Sequence, residues 1–507
     1  MQTFSTLVEL LSAGVDAEPA LRAPGMPALS YAALRANVLR TVAALNGLGI
    51  GRGDRVGIVL PNGPEMAAAF VSVAACATSA PLNPAYRADE FEFYLTDLDA
   101  KALIVERGSE SPAIPVAQKL GVRIIELSPS SDGAGAFTLA PAGAQESSAA
   151  VRPGFAEADD IALILHTSGT TSRPKIVPLS HRNVCTSAAN VRNTLHLKAA
   201  DCGLNIMPLF HIHGLIAGLL APLSAGGTIF CSPGFNALKF FGWMTEAKPT
   251  WYTAVPTMHQ TILSRASHSR EVIAANPLRF MRSSSSSMPP QVIAELEEVF
   301  GAPLVEAYGM TEAAHQMSSN PLPPDKRVPG TVGLAAGPDV EIMDNEGKLL
   351  APGETGEIVI RGPNVTRGYE NNPKANGEAF THGWFRTGDQ GMKDGEGYVR
   401  ITGRLKEIIS RGGEKISPRE VDEILMDHPA VQQVVTFGIP HDKLGEEVGA
   451  AIVLRDGASV TEKELRDFAA IRLADFKVPR KILFLAEIPK GATGKLQRIG
   501  LAAKLGL

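Results

Sequence analysis

The chain has 507 residues, of which 45% are hydrophobic and 20% are charged, and its formal net charge is −5 at pH 7. A chain of this length is too long for a single hydrophobic core, so at least two folded units are expected. The small negative charge excludes a general attraction to nucleic acid or to an anionic membrane, which would need clustered Lys and Arg. Any nucleotide must therefore be bound by a local site.

The four cysteines have no metal-type spacing and are too few for a disulfide framework, which favours free thiols in a reducing compartment. The first residues lack the basic patch and apolar run of a secretory signal, and no apolar stretch reaches the ~20 residues that span a bilayer. The C-terminal segment Lys504–Leu507 is not the peroxisomal Ser-Lys-Leu signal. We expect a cytoplasmic protein without stable membrane association, and the sequence leaves open whether it is a monomer or a homodimer.

Between about residue 30 and residue 310, short β-rich runs alternate with helical patterns, which predicts parallel sheets covered by helices. Ser30 is predicted to cap a helix to about Leu48, Arg55 to Leu60 is predicted as a buried strand, and a helix is predicted from Pro64. Further strands are predicted at 161–165, 227–231, 250–254 and 303–306. The repetition predicts an α/β fold with two doubly wound layers.

Two changes of pattern predict further units. From about 329 to 400, Gly, Pro and β-branched residues indicate a small β-subdomain, which completes an N-terminal domain of residues 1–403. Residues 404–507 show short strands and two helices, which indicate a smaller α+β domain. Ser417 with Glu420, and Thr461 with Glu464, have the spacing of a capping box at the start of each helix.

The run from His166 to Lys175 has the composition of a phosphate-binding loop. Gly169 permits a tight turn that exposes backbone N–H donors, five hydroxyl residues add donors, and Lys175 supplies charge. The Walker pattern is absent. The residues expected to contact phosphate are Thr167, Ser168, Gly169, Thr170, Thr171 and Lys175.

This loop resembles the signature of the adenylate-forming superfamily, which contains acyl-CoA synthetases, nonribosomal peptide adenylation domains and firefly luciferase. Four more strings of that family match in order and spacing: Tyr-Gly-Met-Thr-Glu at 308–312, Trp-Phe-Arg-Thr-Gly-Asp at 384–389, Gly-Arg-Leu-Lys at 403–406 and Pro-Lys-Gly-Ala-Thr-Gly-Lys at 489–495. The resemblance implies an ATP-dependent ligase that forms an acyl-adenylate and then an acyl-CoA, releasing diphosphate and AMP.

Adenylation joins two anions, so the site must neutralise charge before the acid can attack the α-phosphorus. By the resemblance, Glu312 and Thr170 would hold Mg²⁺, Thr311 would contact phosphate, and Lys495 would bridge the acid and the α-phosphate. Asp389 would accept the ribose hydroxyls.

The resemblance also assigns binding residues around the nucleotide. Arg404 would lie near the ribose and phosphates, and the adenine pocket would consist of Ser284, Ser285, Glu306, Ala307 and Tyr308.

Two half-reactions need different surroundings, because the adenylate must be shielded from water and then exposed to a thiol. The resemblance implies that the C-terminal domain rotates at the hinge residue Lys406 and presents Gly412 and Gly413 to the arm of coenzyme A. Several aromatic-acid ligases carry a Lys where this chain has Ser410, which leaves the phosphate contacts of the thioester-forming state open.

The predicted acid pocket is polar. The family places His211 as a gate beside the acyl group, and the other expected contacts to the acid are His213, Ser285, Ser286, Gly309 and His315. Polar groups buried beside an apolar chain would cost ~1–3 kcal/mol each, so a polar acid is the better match. The pocket is most similar to that of oxalate–CoA ligases, with malonate–CoA ligases next.

Three other classes stay open, of which a luciferase-type oxygenase, recognisable by light emission, is the weakest. A free-standing enzyme that adenylates an acid and loads a carrier protein would have the same strings, although no fused carrier domain is visible. A ligand-binding pseudoenzyme is a further alternative, but intact Lys495, Glu312 and Asp389 argue against it.

Overall fold

The structure is a computed structural model that describes residues 3–143, 149–167, 174–490 and 496–507. Five residues with predicted roles lie outside the described residues: Ser168, Gly169, Thr170, Thr171 and Lys495.

The strands, in chain order, are β1 Pro19–Arg22, β2 Leu29–Ser30, β3 Arg55–Val59, β4 Thr78–Pro81, β5 Ala102–Glu106, β6 Arg123–Pro129, β7 Phe137–Pro141, β8 Ile161–Thr167, β9 Lys175–Ser180, β10 Cys202–Asn205, β11 Thr228–Cys231, β12 Trp251–Ala254, β13 Phe280–Ser284, β14 Leu304–Met310, β15 His315–Ser319, β16 Leu334–Ala335, β17 Asp339–Met343, β18 Thr355–Arg361, β19 Phe380–Thr381, β20 Trp384–Lys393, β21 Val399–Arg404, β22 Ile409–Arg411, β23 Glu414–Ile416, β24 Val431–His441, β25 Gly445–Leu454 and β26 Lys481–Phe484.

The α-helices are α1 Leu7–Leu10, α2 Tyr31–Gly47, α3 Pro64–Ala74, α4 Ala88–Asp97, α5 Ala113–Leu120, α6 His181–Thr194, α7 Ala221–Ser224, α8 Phe240–Ala247, α9 Pro256–Ala266, α10 Arg270–Ala275, α11 Pro290–Phe300, α12 Pro373–Ala379, α13 Pro418–Met426, α14 Glu462–Ala470 and α15 Leu501–Lys504. Residues His213–Leu220 form a π-helix, and short 3₁₀ turns occur at Leu11–Ala13, Thr311–Ala313 and Asp475–Lys477.

Two large sheets organise the first part of the chain. One has seven strands in the order β7-β6-β5-β3-β4-β8-β9, and the other has nine in the order β16-β15-β14-β13-β12-β10-β11-β1-β2. The central pairs of both sheets are parallel, and antiparallel strands complete the edges. The central strands are buried along most of their length because helices cover both faces, which is the usual reason that parallel strands are apolar throughout.

Two smaller sheets follow. Strands β17, β18, β20, β19 and β21 form the predicted β-subdomain, which also contains the helix α12 that the sequence pattern did not indicate. Strands β23, β22, β25, β24 and β26 form the last sheet, against which α13 packs. The predicted fold class, two doubly wound layers with a β-subdomain and a smaller α+β unit, is confirmed. The exact boundary at residue 403 and the hinge at Lys406 stay predictions.

Local capping signals explain where several helices begin. The Ser30 hydroxyl accepts the Ala33 N–H at 3.2 Å, and Thr461 and Glu464 form the predicted reciprocal box. At α13 the Ser417 hydroxyl faces the Glu420 N–H at 3.5 Å, but the Glu420 carboxylate pairs with the Lys477 ammonium at 2.7 Å. The reciprocal half of that predicted box is therefore wrong, because a charged partner competes for the Glu420 side chain.

None of the helices in the described part of the chain is long and apolar enough to cross a membrane.

Candidate active site

The carboxyl ends of strands from both large sheets meet at the candidate site, as expected for ligand binding in α/β folds. Thr167 ends β8 and is paired in register with Lys175 at the start of β9, so the two residues that flank the predicted phosphate loop are neighbours. Thr311, at the start of its short 3₁₀ turn, is partly exposed.

A buried carboxylate lies near Lys175. Glu312 follows β14 and is 6% exposed, and the Tyr369 hydroxyl donates to its Oε1 at 2.9 Å. The Lys175 Nζ lies 4.3 Å from the centroid of the Tyr369 ring. Burial raises the pKa of Glu312, whereas the Tyr369 hydroxyl and the charges of Arg404 and Lys175 oppose that rise. The arrangement brings one carboxylate and two cations to the same place.

The number of carboxylates near the phosphates decides whether the site can bind Mg²⁺. No group of three or more His, Cys, Asp or Glu side chains that could hold a metal occurs among the described residues. Mg²⁺ in nucleotide sites, however, needs only one or two protein carboxylates because phosphate oxygens and water complete its shell. Glu312 meets that requirement.

A second cluster consists of Tyr308, Asp389 and Arg404. The Tyr308 hydroxyl donates to Asp389 Oδ2 at 2.5 Å, and Arg404 Nε donates to Asp389 Oδ1 at 2.9 Å. Asp389 and Arg404 are direct partners in the β20/β21 register, which fixes the ion pair. Burial and Asp389 hold the pKa of Tyr308 well above its usual range, so its phenol remains a donor. Asp389 retains free lone pairs and can accept hydroxyl groups of a ribose.

The predicted adenine pocket is formed by the ends of β13 and β14. Ser284 and Ala307 are buried partners in that register. The Ser284 hydroxyl has no hydrogen-bond partner among the described residues, which is unusual for a buried polar group and is the state that a ligand would satisfy. Glu306 accepts the Gly330 N–H at 3.2 Å, and burial raises its pKa to about 7.

Two stacked histidines form the predicted acid pocket. The rings of His213 and His315 have centroids 5.0 Å apart and an interplanar angle of 18°, and both residues are buried. His213 Nδ1 lies 3.1 Å from the Ser285 hydroxyl and Nε2 lies 2.6 Å from the Thr253 hydroxyl. The pocket therefore combines imidazoles and hydroxyls, as predicted for a polar acid.

A buried arginine, Arg282, lies behind these rings and was missed by the sequence prediction. Its Nη1 is 3.3 Å from His213 Nε2, and its Nη2 is 3.1 Å from His315 Nε2 and 3.4 Å from Gln316 Oε1. Its side chain is fully buried, and among the described residues no carboxylate forms an ion pair with it. The available signal was an Arg inside the otherwise apolar start of β13.

The backbone around His315 is unusual. His315 and Ala314 have φ values of +101° and +47°, a backbone region that residues other than glycine rarely adopt. Gly309 lies so close that a Cβ atom there would be 1.8 Å from the His315 carbonyl oxygen. Such strain is typical of functional sites, where the surrounding structure holds it.

Two predicted acid contacts lie at the edge of this pocket. His211 is partly exposed, and its Nδ1 accepts the His213 N–H at 3.3 Å. Ser286 is exposed, and its hydroxyl donates to the Ser285 carbonyl at 2.8 Å.

The predicted hinge and thiol-facing residues are at the surface. Lys406, Gly412 and Gly413 are exposed, and the two glycines have φ values of +59° and +94°. A Cβ atom at Gly413 would meet nothing within 4 Å. The role of the two glycines beside coenzyme A stays a prediction.

Two family models match the chain: "AMP-binding enzyme" over residues 16–370 and "AMP-binding enzyme C-terminal domain" over residues 420–495. An oxalate–CoA ligase of Arabidopsis thaliana is 44% identical, with 98% of this chain and 97% of the relative covered. A sulfoacetate–CoA ligase of Cupriavidus necator is 34% identical, with 98% and 97% covered.

The fold of a solved neighbour agrees with this assignment. ATP-bound MatB from Rhodopseudomonas palustris is 31% identical, covers 99% of both chains and has a TM-score of 0.87, whereas apo MatB has a TM-score of 0.79. The predicted adenylate-forming family is confirmed, and the chain belongs to the AMP-binding enzyme family.

Proposed function

We propose that this chain is an ATP-dependent acid–CoA ligase whose acid is a short dicarboxylate, with oxalate as the best fit. It forms the acyl-adenylate and diphosphate first, and then the acyl-CoA and AMP. The ligase class is supported by the two relatives that match the chain from end to end. By their names, one relative acts on oxalate and the other on sulfoacetate, and each of these small acids carries a second acidic group.

The observation that carries the proposal is the buried positive charge of Arg282. Burial lowers the pKa of this guanidinium to about 9, which leaves it charged at neutral pH. Its hydrogen-bond partners among the described residues include no carboxylate: they are two imidazoles, a hydroxyl and an amide oxygen. A buried charge without a counter-charge is costly, and a ligand that brings a negative group removes that cost.

This charge favours a dicarboxylate over a simple acid. The reacting carboxylate of any acid becomes an acyl phosphate, so it cannot remain as the counter-charge. A second carboxylate can do so throughout the reaction, held by N–H and O–H donors of His213, His315 and Ser285. Acetate has no such group, and an aromatic ring would leave the polar wall unsatisfied.

The remaining groups prepare the nucleotide for attack. Asp389 and Tyr308 orient the ribose, and Lys175 and Arg404 place positive charge near the phosphates. Mg²⁺, held through Glu312 and the phosphates, would neutralise the charge on the phosphate oxygens. Lys495, which lies outside the described residues, is proposed to contact the reacting carboxylate and the α-phosphate.

A substrate panel tests the proposal. Purified protein with ATP and Mg²⁺ is given oxalate, malonate, sulfoacetate, acetate or 4-coumarate, and diphosphate release is measured. Oxalate is expected to have the highest kcat/KM, at least ~100-fold above acetate, because one uncompensated buried charge costs several kcal/mol. A preference for 4-coumarate would contradict the proposal, and AMP without a thioester in the presence of CoA would favour a carrier-protein loader.

The catalytic lysine has a matched control in the same segment. K495A is expected to slow adenylate formation at least ~100-fold, because it removes a charge that acts only in the transition state. K490A is expected to leave the rate unchanged, since Lys490 pairs with Glu487 at 2.8 Å on the surface. Adenylate formation at the original rate in K495A would contradict the assigned role.

We further propose a cytoplasmic location, supported by four cysteines that form no disulfide. Light scattering would decide between a monomer and a homodimer.

A further inference from the structure

The two pocket histidines present the same ring nitrogen to one arginine. Arg282 Nη1 faces His213 Nε2 at 3.3 Å, and Arg282 Nη2 faces His315 Nε2 at 3.1 Å. A guanidinium has only donors, so each Nε2 must accept and cannot carry a proton. The Thr253 hydroxyl, 2.6 Å from His213 Nε2, can donate to the same lone pair.

The position of the ring protons follows from this contact. A neutral imidazole carries one proton, so an Nε2 that accepts leaves the proton on Nδ1. A doubly protonated ring would set N–H against N–H and place a cation 3.1–3.3 Å from the guanidinium. His213 Nδ1 then donates toward the hydroxyl of Ser285, a partly exposed residue that directly follows β13 and lies 3.1 Å away.

We propose that Arg282 is a positioning residue that holds His213 and His315 as neutral Nδ1–H tautomers, so that the His213 Nδ1–H occupies a lone pair of the Ser285 hydroxyl and leaves its O–H to donate to the distal carboxylate of the acid. The opposite tautomer of His213 would turn a lone pair toward the Ser285 hydroxyl and draw its O–H away from that carboxylate. Arg282 thus acts on the acid through the two rings and adds its positive charge behind them. The identity of the acid rests on the proposed function, but the tautomers do not.

Arg282 is itself held in place from several directions. Gln316 Oε1 accepts from Arg282 Nη2 at 3.4 Å, and the Gln316 amide is oriented by donation from its Nε2 to Thr194 Oγ1 at 3.0 Å and to the Ala336 carbonyl at 3.1 Å. Strand β13, which carries Arg282, pairs on both sides with β12 and β14. The guanidinium is therefore fixed before substrate arrives, as a preorganised site requires.

A third buried histidine provides an internal contrast. His259 Nε2 lies 3.1 Å from the Arg282 carbonyl oxygen, which can only accept, and its Nδ1 lies 3.0 Å from the Tyr252 hydroxyl. Burial lowers the pKa of His259 to about 4, so the ring is neutral at pH 7. His259 must therefore carry its proton on Nε2, the opposite tautomer to the two pocket histidines.

The tautomers can be measured in the wild-type protein, without any destabilising change. Histidine is labelled with ¹⁵N, long-range ¹H–¹⁵N spectra are recorded at pH 7, and H213N, H315N and H259N variants assign the signals. We expect Nδ1 to be protonated in His213 and His315, and Nε2 to be protonated in His259. A proton on Nε2 of either pocket histidine would overturn the proposal.

Kinetics of Arg282 variants supply the second readout. In R282M the KM for oxalate is expected to rise on the order of 10- to 100-fold while the KM for ATP stays within about two-fold, and R282K should recover part of the loss because it restores the charge. R367M, which removes an exposed arginine, is the control for overall charge. An unchanged KM for oxalate in R282M would overturn the proposal. If the wild-type enzyme does not use oxalate, the proposed function fails, and the tautomer measurement still decides the role of Arg282.

Discussion

Gly309 lies where the chain leaves almost no room for a side chain, and replacing it with Ala tests whether the position of His315 controls the use of the acid. The added Cβ would be 1.8 Å from the His315 carbonyl oxygen and 2.6 Å from its carbonyl carbon. Because real Cβ atoms essentially never approach closer than 3.0 Å, the His315 backbone must move by about 1.2 Å, the difference between 3.0 and 1.8 Å.

That displacement is large for a binding group. A shift of about 1 Å in a positioning group can cost ~100-fold in rate, which corresponds to ~2.7 kcal/mol. Insertion of a methyl group into a packed region also lowers the free energy of unfolding by ~1–3 kcal/mol. We therefore expect G309A to fold, to lose some stability, and to lose about 100-fold in kcat/KM for oxalate.

Diphosphate release with varied oxalate is the assay, and G242A is the matched control. Gly242 lies in α8, and a Cβ atom there would meet nothing within 4 Å. G242A should keep its activity and gain up to ~1 kcal/mol of stability, the usual preference of a helix for Ala over Gly. A folded G309A enzyme with wild-type kcat/KM for oxalate would refute the reasoning.

Three further changes address the nucleotide side. In Y369F the lost hydroxyl no longer stabilises the ionised Glu312, so the Mg²⁺ concentration for half-maximal activity at pH 6.5 should rise ~3- to 10-fold, whereas the distant Y398F should not change it. In D389N the Arg404 ion pair is lost, so the KM for ATP should rise ~10-fold or more while the KM for oxalate is unaffected. Burial raises the pKa of Glu306 from 4.5 to about 7, so its contribution to stability is present below pH 4.5 and is lost as the pH rises through about 7. At pH 8, E306Q should therefore unfold at a higher urea concentration than wild type, with a free energy of unfolding higher by up to roughly 3 kcal/mol. At pH 5 the two proteins should unfold at similar urea concentrations.

Each of these expectations has a clear opposite. An unchanged Mg²⁺ requirement in Y369F would remove Glu312 from the metal site. An unchanged KM for ATP in D389N would remove Asp389 from ribose binding. Equal urea midpoints for wild type and E306Q at pH 8 would mean that burial does not destabilise the ionised Glu306 carboxylate.

Local patterns predicted the elements well. The strand predicted at 55–60 is β3 Arg55–Val59, and the helix predicted after Ser30 is α2 Tyr31–Gly47, because hydrophobic period and capping residues act over a few positions. The helix α12 within the β-subdomain and the π-helix at His213–Leu220 were not predicted. The apolar run that forms the π-helix is buried all round and offers no helical period to detect.

The candidate site was predicted in part for the same reason. Contiguous motifs indicated Glu312, Asp389 and the phosphate loop, whose ends the structure brings near one another. The role of Arg282 depends on partners 29 to 69 positions away in the chain, so its local signal, an Arg at the otherwise apolar start of a strand, could not by itself indicate that role. The Glu420 carboxylate shows the converse, since Lys477, 57 positions away, overrides its local capping signal.

The pairing of Asp389 with Arg404 across β20 and β21 limits which groups the predicted rotation of the C-terminal domain can displace. Arg404 is fastened to the sheet of the β-subdomain, and Lys406 comes two positions later, beyond the last paired residue of that sheet. A swing at Lys406 would leave the ribose end of the nucleotide anchored while the groups around the acyl phosphate are exchanged. One bound adenylate could thus serve both half-reactions without being released and recaptured.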